Sequence, residues 1–124
     1  MTTQTPTNVA VWFEIPVTDM DRATAFYNTV LQTELKRDDT GPNPMAVFPA
    51  REDSGVAGHL YPGKSAGSGS GNTIHLAISD SLEDALGRVR DNGGEVLSDV
   101  ITIPAGRFAY CLDPDGNSVG LFGR

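Results

Sequence analysis

The sequence predicts an α+β domain assembled from two copies of a β-α-β-β-β unit. In the first copy an apolar strand pattern ends at Val17-Thr18-Asp19 and leads into a helical pattern over residues 20–31. In the second copy a strand pattern ends at Ile78-Ser79-Asp80 and leads into a helical pattern that begins at Leu82. Three short strand-like segments follow each helix. Because a unit of this size cannot bury a core alone, the two modules must pair, and the cleft between them is where function is expected.

The first strand, predicted over residues 9–17, separates its side chains onto two faces. Its apolar residues alternate and predict a face turned toward the helices: Val9, Val11, Phe13, Ile15 and Val17. Trp12 and Glu14 then project from the opposite face. A carboxylate at this place indicates either a cleft filled with water or a charge partner, and a structural ion pair between Glu14 and Arg107 stays open.

The other elements follow from helical spacing and turn residues. Asp19 and Asp21 cap and charge the start of the first helix, which is expected to end near Thr33. A second helix is predicted over 82–92 and ends at Gly93-Gly94. Further strands are predicted over 34–38, 45–49, 55–61, 73–79, 95–103, 106–112 and 118–122, and a hairpin turn over the DPDGN segment at 113–117.

The whole chain, residues 1–124, is predicted to be one domain. The first module occupies about 9–62, the second about 73–122, and a linker at 63–72 joins them. This linker contains Gly-Ser-Gly-Ser-Gly, whose side chains are too small to fill a core, so it is expected to be flexible.

Charge and composition limit the classes of partner. Sixteen acidic and nine basic residues give a net charge of −7, which repels nucleic acid and anionic membrane surfaces, so neither is an expected partner. The start of the chain is polar and no apolar run is long enough to span a bilayer, so a cytoplasmic location is expected. The single cysteine, Cys111, lies in an apolar alternating run and is predicted to be a buried, inert thiol.

A family resemblance adds to this interpretation. The segment EIPVTDMDRA at 14–23, which leads into Phe26-Tyr27, and the DPDGN turn at 113–117 resemble the vicinal oxygen chelate superfamily. This group contains glyoxalase I, bleomycin-resistance proteins and extradiol dioxygenases. The resemblance covers residues 9–122 and implies two modules whose strands curl into a half-barrel cleft with the helices outside. It also implies a two-fold homodimer.

In the glyoxalase-like members a divalent metal is held by one side chain from the first and one from the last strand of each module. The resemblance places Trp12 at the first-strand histidine and Gly120 at the last-strand glutamate, and neither residue supplies a ligand. The two remaining positions fall on Gly58 or His59 and on the stretch 73–75, which contains His75. The expectation is therefore a protein without the family metal.

Three function classes follow. The leading hypothesis is a protein that binds a small, largely apolar or planar molecule in its cleft without the family metal, and its expected ligand-binding residues are Trp12, Glu14, His59, His75 and Tyr110. The first alternative is a metal-dependent lyase, isomerase or dioxygenase-type enzyme with a displaced metal site formed by Glu14, His59 and His75. The second alternative is a structural or regulatory module with a vestigial cleft. Whether the protein is an enzyme stays open at this stage.

Overall fold

A computed structural model describes residues 5–51 and 55–123. Its elements in chain order are β1 (Trp12–Val17), α1 (Met20–Leu31), β2 (Lys36–Asp38), β3 (Met45–Val47), β4 (Ala57–Pro62), β5 (Ile74–Ala77), α2 (Leu82–Asp91), β6 (Glu95–Val96), β7 (Ile101–Ile103), β8 (Gly106–Leu112) and β9 (Ser118–Gly123). One sheet has the order β1-β4-β3-β2 and the other β5-β9-β8-β6, with β7 also paired to β8. The predicted α+β class, with two open sheets, is confirmed.

Both helices form where the sequence places them. Asp19 caps α1 by accepting a hydrogen bond from the Arg22 N–H at 3.0 Å, and Ser81 caps α2 through the Asp84 N–H at 3.3 Å. Gly93 adopts a φ of +90°, the left-handed conformation predicted for the end of α2. No helix in the described part of the chain is long and apolar enough to cross a membrane.

The first strand is shorter than predicted. It begins at Trp12, and Val9 and Val11 are 91% and 71% exposed, so the prediction that they face the helices is wrong. The reason lies in the pairing, because β4 begins at Ala57, directly opposite Trp12, and the described ladder stops there. Ile15 and Val17 are buried as expected.

The single strand predicted over 95–103 is also wrong, because the chain divides there into β6 and β7. The Leu97 N–H donates to the Tyr110 carbonyl at 2.8 Å, but the Tyr110 N–H donates to the Ser98 hydroxyl at 2.9 Å. A side-chain oxygen thus replaces a backbone acceptor, and the regular ladder is interrupted until Ile101 pairs with Phe108.

One core joins the two helices and both sheets. The buried face of α1 is the predicted one, with Ala23, Phe26, Tyr27 and Val30, while Leu31 is only partly buried. From the other elements the core receives Ile15, Val17, Leu60, Leu82, Leu86, Val89, Val119 and Leu121.

Cys111 is buried, as predicted, and burial raises the pKa of its thiol to about 11.

The turn at 113–117 ties the second half of the chain to the first. The buried carboxylate of Asp113 accepts hydrogen bonds from the Tyr27 hydroxyl at 2.7 Å and from the backbone N–H groups of Asp115 and Asn117, both at 2.9 Å. The Asn117 amide donates to the Pro16 carbonyl at 2.8 Å and to Asp113 at 2.9 Å. Burial, followed by the charge of Asp113, raises the pKa of Tyr27 well above its ordinary value, so this hydroxyl stays a donor.

The segment 63–72 lies against the same turn. The Ser65 hydroxyl donates to the Asp115 carbonyl at 2.5 Å, and the Gly69 N–H donates to the Gly116 carbonyl at 2.9 Å. Gly67 and Gly69 adopt φ angles of +80° and +77°, which glycine adopts without strain. The module boundaries and the flexibility of this linker stay predictions.

We expect Tyr27→Phe to lower the free energy of unfolding by about 1–3 kcal/mol, because the buried Asp113 carboxylate loses a donor that water cannot replace. Chemical denaturation measures this change. The matched control is Tyr61→Phe, because the structure shows no hydrogen bond of the Tyr61 hydroxyl within the described residues. Equal losses in the two variants would contradict the role of the Tyr27 hydrogen bond.

Candidate functional site

Three of the predicted site residues meet on the β1–β4 sheet. Glu14 and His59 are direct partners in the parallel β1–β4 ladder, and Trp12 precedes Glu14 by two residues on the same face. The Trp12 Nε1–H donates to His59 Nδ1 at 2.9 Å, and His59 Nε2 lies 3.3 Å from Glu14 Oε1. These side chains form a chain of contacts from an indole through an imidazole to a carboxylate.

The tryptophan determines where the imidazole carries its proton. An indole N–H is only a donor, so His59 Nδ1 must accept and the ring proton of the neutral imidazole lies on Nε2, facing Glu14. His59 is buried, whereas the Glu14 side chain is 64% exposed. The imidazole therefore holds one carboxylate oxygen while most of the carboxylate remains open to solvent.

The other two predicted site residues lie together on the second sheet. The ring centroids of His75 and Tyr110 are 5.8 Å apart, and Phe108 lies 5.3 Å from His75 and 5.4 Å from Tyr110, all in edge-to-face contacts. Tyr110 is 37% exposed. The structure thus arranges the five predicted residues as two clusters, one on each sheet.

Two neighbouring cavities connect these sheets. One has a volume of about 410 Å³ and lies between β1, the linker and the start of β9; its lining includes Trp12, Phe13, Glu14, Ile74 and Asn117. The other has a volume of about 490 Å³, shares Trp12, Phe13 and Ile74 with the first, and adds His75. Trp12, 48% exposed, is therefore a wall of both.

Sequence reasoning missed Phe13, Ile74 and the linker residues 70–72 as lining residues. The alternation with Ile15 predicts Phe13 on the helix face; in the structure Phe13 packs against the core and also lines both cavities. No motif marks residues 70–72, and only the fold brings them to β1. The apolar strand pattern around residue 74 was the available signal for Ile74.

The suggested ion pair between Glu14 and Arg107 is wrong. Arg107 lies at the start of β8 and binds Glu83 at the start of α2, with Nη1 2.6 Å from Oε2. Hydrogen bonds from this guanidinium lower the pKa of Glu83 to about 2. Glu14 has His59 as its partner instead.

Two glycines allow aromatic rings to lie against the backbone of the adjacent parallel strand. Phe13 on β1 pairs with Gly58 on β4, and His75 on β5 pairs with Gly120 on β9. Each sheet therefore contains one pairing of an aromatic ring with a glycine on the adjacent parallel strand. A Cβ atom at Gly58 would overlap the Phe13 carbonyl and ring, and one at Gly120 would overlap the His75 imidazole. The glycines are therefore required by close packing.

The residues present do not fit the four-ligand metal site that the resemblance implies. Trp12 and Gly120 supply no ligand, and the His75 ring fills the space beside Gly120. Within the described residues no three His, Cys, Asp or Glu side chains are grouped so that they could hold a metal ion. The same region instead presents aromatic side chains and one carboxylate.

Comparison with known proteins decides the family. Residues 10–121 match the family model described as Glyoxalase/Bleomycin resistance protein/Dioxygenase superfamily. The chain belongs to this superfamily. The comparison with curated proteins gives no match.

Solved structures share the superfamily fold. A glyoxalase/bleomycin resistance protein from Albidiferax ferrireducens T118 is 22% identical, with a TM-score of 0.71 over 94% of this chain and 99% of that one. The trypanothione-dependent glyoxalase I of Leishmania major is 18% identical, with a TM-score of 0.70 over 94% and 87%. The antibiotic-binding protein TnmS3 from Streptomyces sp. CB03234 is 23% identical, with a TM-score of 0.63 over 97% and 98%. At these sequence identities the likeness shows a shared fold and nothing further.

We expect Gly120→Ala to destabilise the protein by about 1–3 kcal/mol because the added methyl group overlaps the His75 ring. Adding His75→Ala should recover most of this loss, since the overlapping atoms belong to the histidine side chain. Gly58→Ala is the matched comparison, and Phe13→Ala should not rescue it because the Phe13 carbonyl remains in place. Thermal denaturation of the single and double variants measures both effects. Independent, additive losses for Gly120→Ala and His75→Ala would contradict the packing argument.

Proposed function

We propose that this superfamily member binds a small, largely apolar or planar molecule in the cleft between its two sheets, without the family metal. The observation that carries the proposal is the cavity of about 410 Å³ beside Trp12, Phe13 and Ile74, with Glu14 at its wall. Small-molecule sites are commonly concave, mostly apolar, and have a few polar groups that orient the ligand. The described lining combines apolar side chains with Glu14 and several neutral polar groups.

The chemistry of the side chains supports binding over metal catalysis. In this superfamily a metal acts by taking up charge from chelated substrate oxygens, and this requires three or four ligands with fixed geometry. Glu14 and His59 instead contact each other, His59 also accepts from Trp12, and His75 packs among aromatic rings on the second sheet. The structure of TnmS3, an antibiotic-binding protein, supports a binding role for a chain of this fold.

A ligand screen tests the proposal, with elemental analysis of the same preparation. We expect planar aromatic compounds to raise the melting temperature and to change the fluorescence of Trp12, the single tryptophan of the chain, because this residue walls both cavities. A ligand at a hundred times its dissociation constant stabilises the folded protein by about 2.7 kcal/mol. We expect no stoichiometric divalent ion.

Two results would overturn the proposal. About one equivalent of metal per chain, lost on substitution of His59 or His75, would support the displaced-site enzyme. A complete failure of planar compounds to stabilise the protein or perturb Trp12 would support a vestigial cleft.

We further propose a two-fold homodimer. Several large apolar side chains are exposed on the strands and their flanks: Val11, Trp12, Val56, Leu97, Ile103 and Tyr110. A second copy of the chain is a common way to cover such open sheet surfaces.

Light scattering should give about twice the 13.1 kDa mass of the chain. Ile103→Lys is expected to shift the protein toward monomer, because it places a charge among these exposed apolar residues, whereas Lys36→Glu at an exposed position of β2 serves as a control. A single 13.1 kDa species at micromolar concentration would contradict the dimer.

A further inference from the structure

We propose that the cavity beside Trp12 and Glu14 takes an organic cation, with an ammonium or related group bound at Glu14 and an apolar or aromatic body along the cavity wall. This inference rests on the proposed function and specifies the class of ligand. Three observations carry it.

The first observation is the charge of the cavity wall. Among the described residues that line the cavity, Glu14 is the one charged side chain, and the others are apolar or carry neutral polar groups. The nearest partner of Glu14 is His59, which contacts Oε1, while the structure gives Oε2 no partner within the described residues. A free carboxylate oxygen at an otherwise uncharged wall favours a cation over an anion.

The second observation is that His59 does not neutralise this carboxylate. If the imidazole were charged, both ring nitrogens would carry hydrogens, and the Nδ1–H would face the Trp12 N–H, donor against donor. The Trp12 hydrogen bond at 2.9 Å therefore requires the neutral ring. With Nδ1 accepting this hydrogen bond, His59 acts as a positioning residue that fixes Oε1 of Glu14.

The third observation is the position of the indole. Trp12 and Glu14 are two residues apart on one face of β1, which separates their Cα atoms by roughly 7 Å. Both side chains line the same cavity, so one organic cation can contact the carboxylate and the indole together, and an indole is the strongest aromatic partner for a cation. Because its N–H is bound to His59, the indole is held in place beside the cavity.

A purely structural pairing of Glu14 with His59 is the competing explanation. In such a pairing the carboxylate is expected to be shielded and its contacts short. Glu14 is instead 64% exposed, and the nitrogen–oxygen separation is 3.3 Å. The contact orients the carboxylate but leaves its charge available to a ligand.

The test uses three probes that share one body and differ in charge: para-tert-butylbenzylammonium, para-tert-butylbenzyl alcohol and para-tert-butylbenzoate. Binding is followed through the fluorescence of Trp12 and checked by calorimetry. We expect the ammonium compound to bind about tenfold more tightly than the alcohol, a difference of about 1.4 kcal/mol, and the benzoate to bind most weakly. The advantage of the ammonium compound should shrink as salt concentration rises.

Glu14→Gln keeps the shape of the side chain and removes its charge. It should lower the affinity for the ammonium compound about tenfold and change the affinity for the alcohol by much less. Glu34→Gln, the same substitution at an exposed position outside the cavity lining, should leave all three affinities unchanged. The salt titration of the unmodified protein tests the inference even if Glu14→Gln does not fold.

The outcomes distinguish failure of the cation site from failure of the proposed binding function. Equal binding of the three probes, or a preference for the alcohol or benzoate, overturns the cation site while leaving a neutral-ligand cleft intact. An unchanged ammonium affinity in folded Glu14→Gln also overturns it. If none of the three probes perturbs Trp12 or binds by calorimetry, and the planar compounds of the ligand screen also fail, the proposed binding function itself fails.

Discussion

The buried carboxylate of Asp113 is the constraint on which the arrangement of the two halves depends. It holds the turn before β9 through backbone donors and binds the Tyr27 hydroxyl of α1 at 2.7 Å. Asn117, oriented by the same carboxylate, donates to the Pro16 carbonyl of β1 and also lines the cavity beside Glu14. A carboxylate in this position is costly unless every lone pair has a donor. The cavity wall is therefore coupled to a polar cluster that tolerates little displacement.

Much of the fold could be predicted because its signals are local. The helix α1 begins and ends where its cap and apolar spacing indicate, and the turn at 113–117 has the residues its geometry requires. The strand boundaries that were predicted wrongly depend on pairing with residues that are distant in the sequence. Val9 and Val11 have strand-like alternation but lie before the β4 ladder begins, and the Ser98 hydroxyl interrupts a strand that residue types alone make continuous.

The site was harder to predict than the fold because side-chain partners depend on register. Alternation along β1 places Trp12 and Glu14 on one face, but only the β1–β4 register brings His59 opposite Glu14. Arg107 has the charge to pair with Glu14, yet β8 carries it to the start of α2, where Glu83 binds it. His75 and Tyr110 meet through the second sheet, whose register the sequence left open between alternatives.

The residues at positions where the resemblance implies metal ligands contribute to close packing or to hydrogen bonding. Gly120 leaves room for the His75 ring, and Gly58 leaves room for Phe13. In each sheet an aromatic ring thus occupies the space that a side chain at the paired glycine would need. Trp12 differs from a histidine at the same place in one decisive property: its N–H only donates and never titrates in the accessible pH range. It therefore holds His59 Nδ1 as an acceptor, with Nε2 facing Glu14. At the place where the resemblance implies a metal, this chain presents a carboxylate and an aromatic wall, and the proposed cation site rests on that pairing.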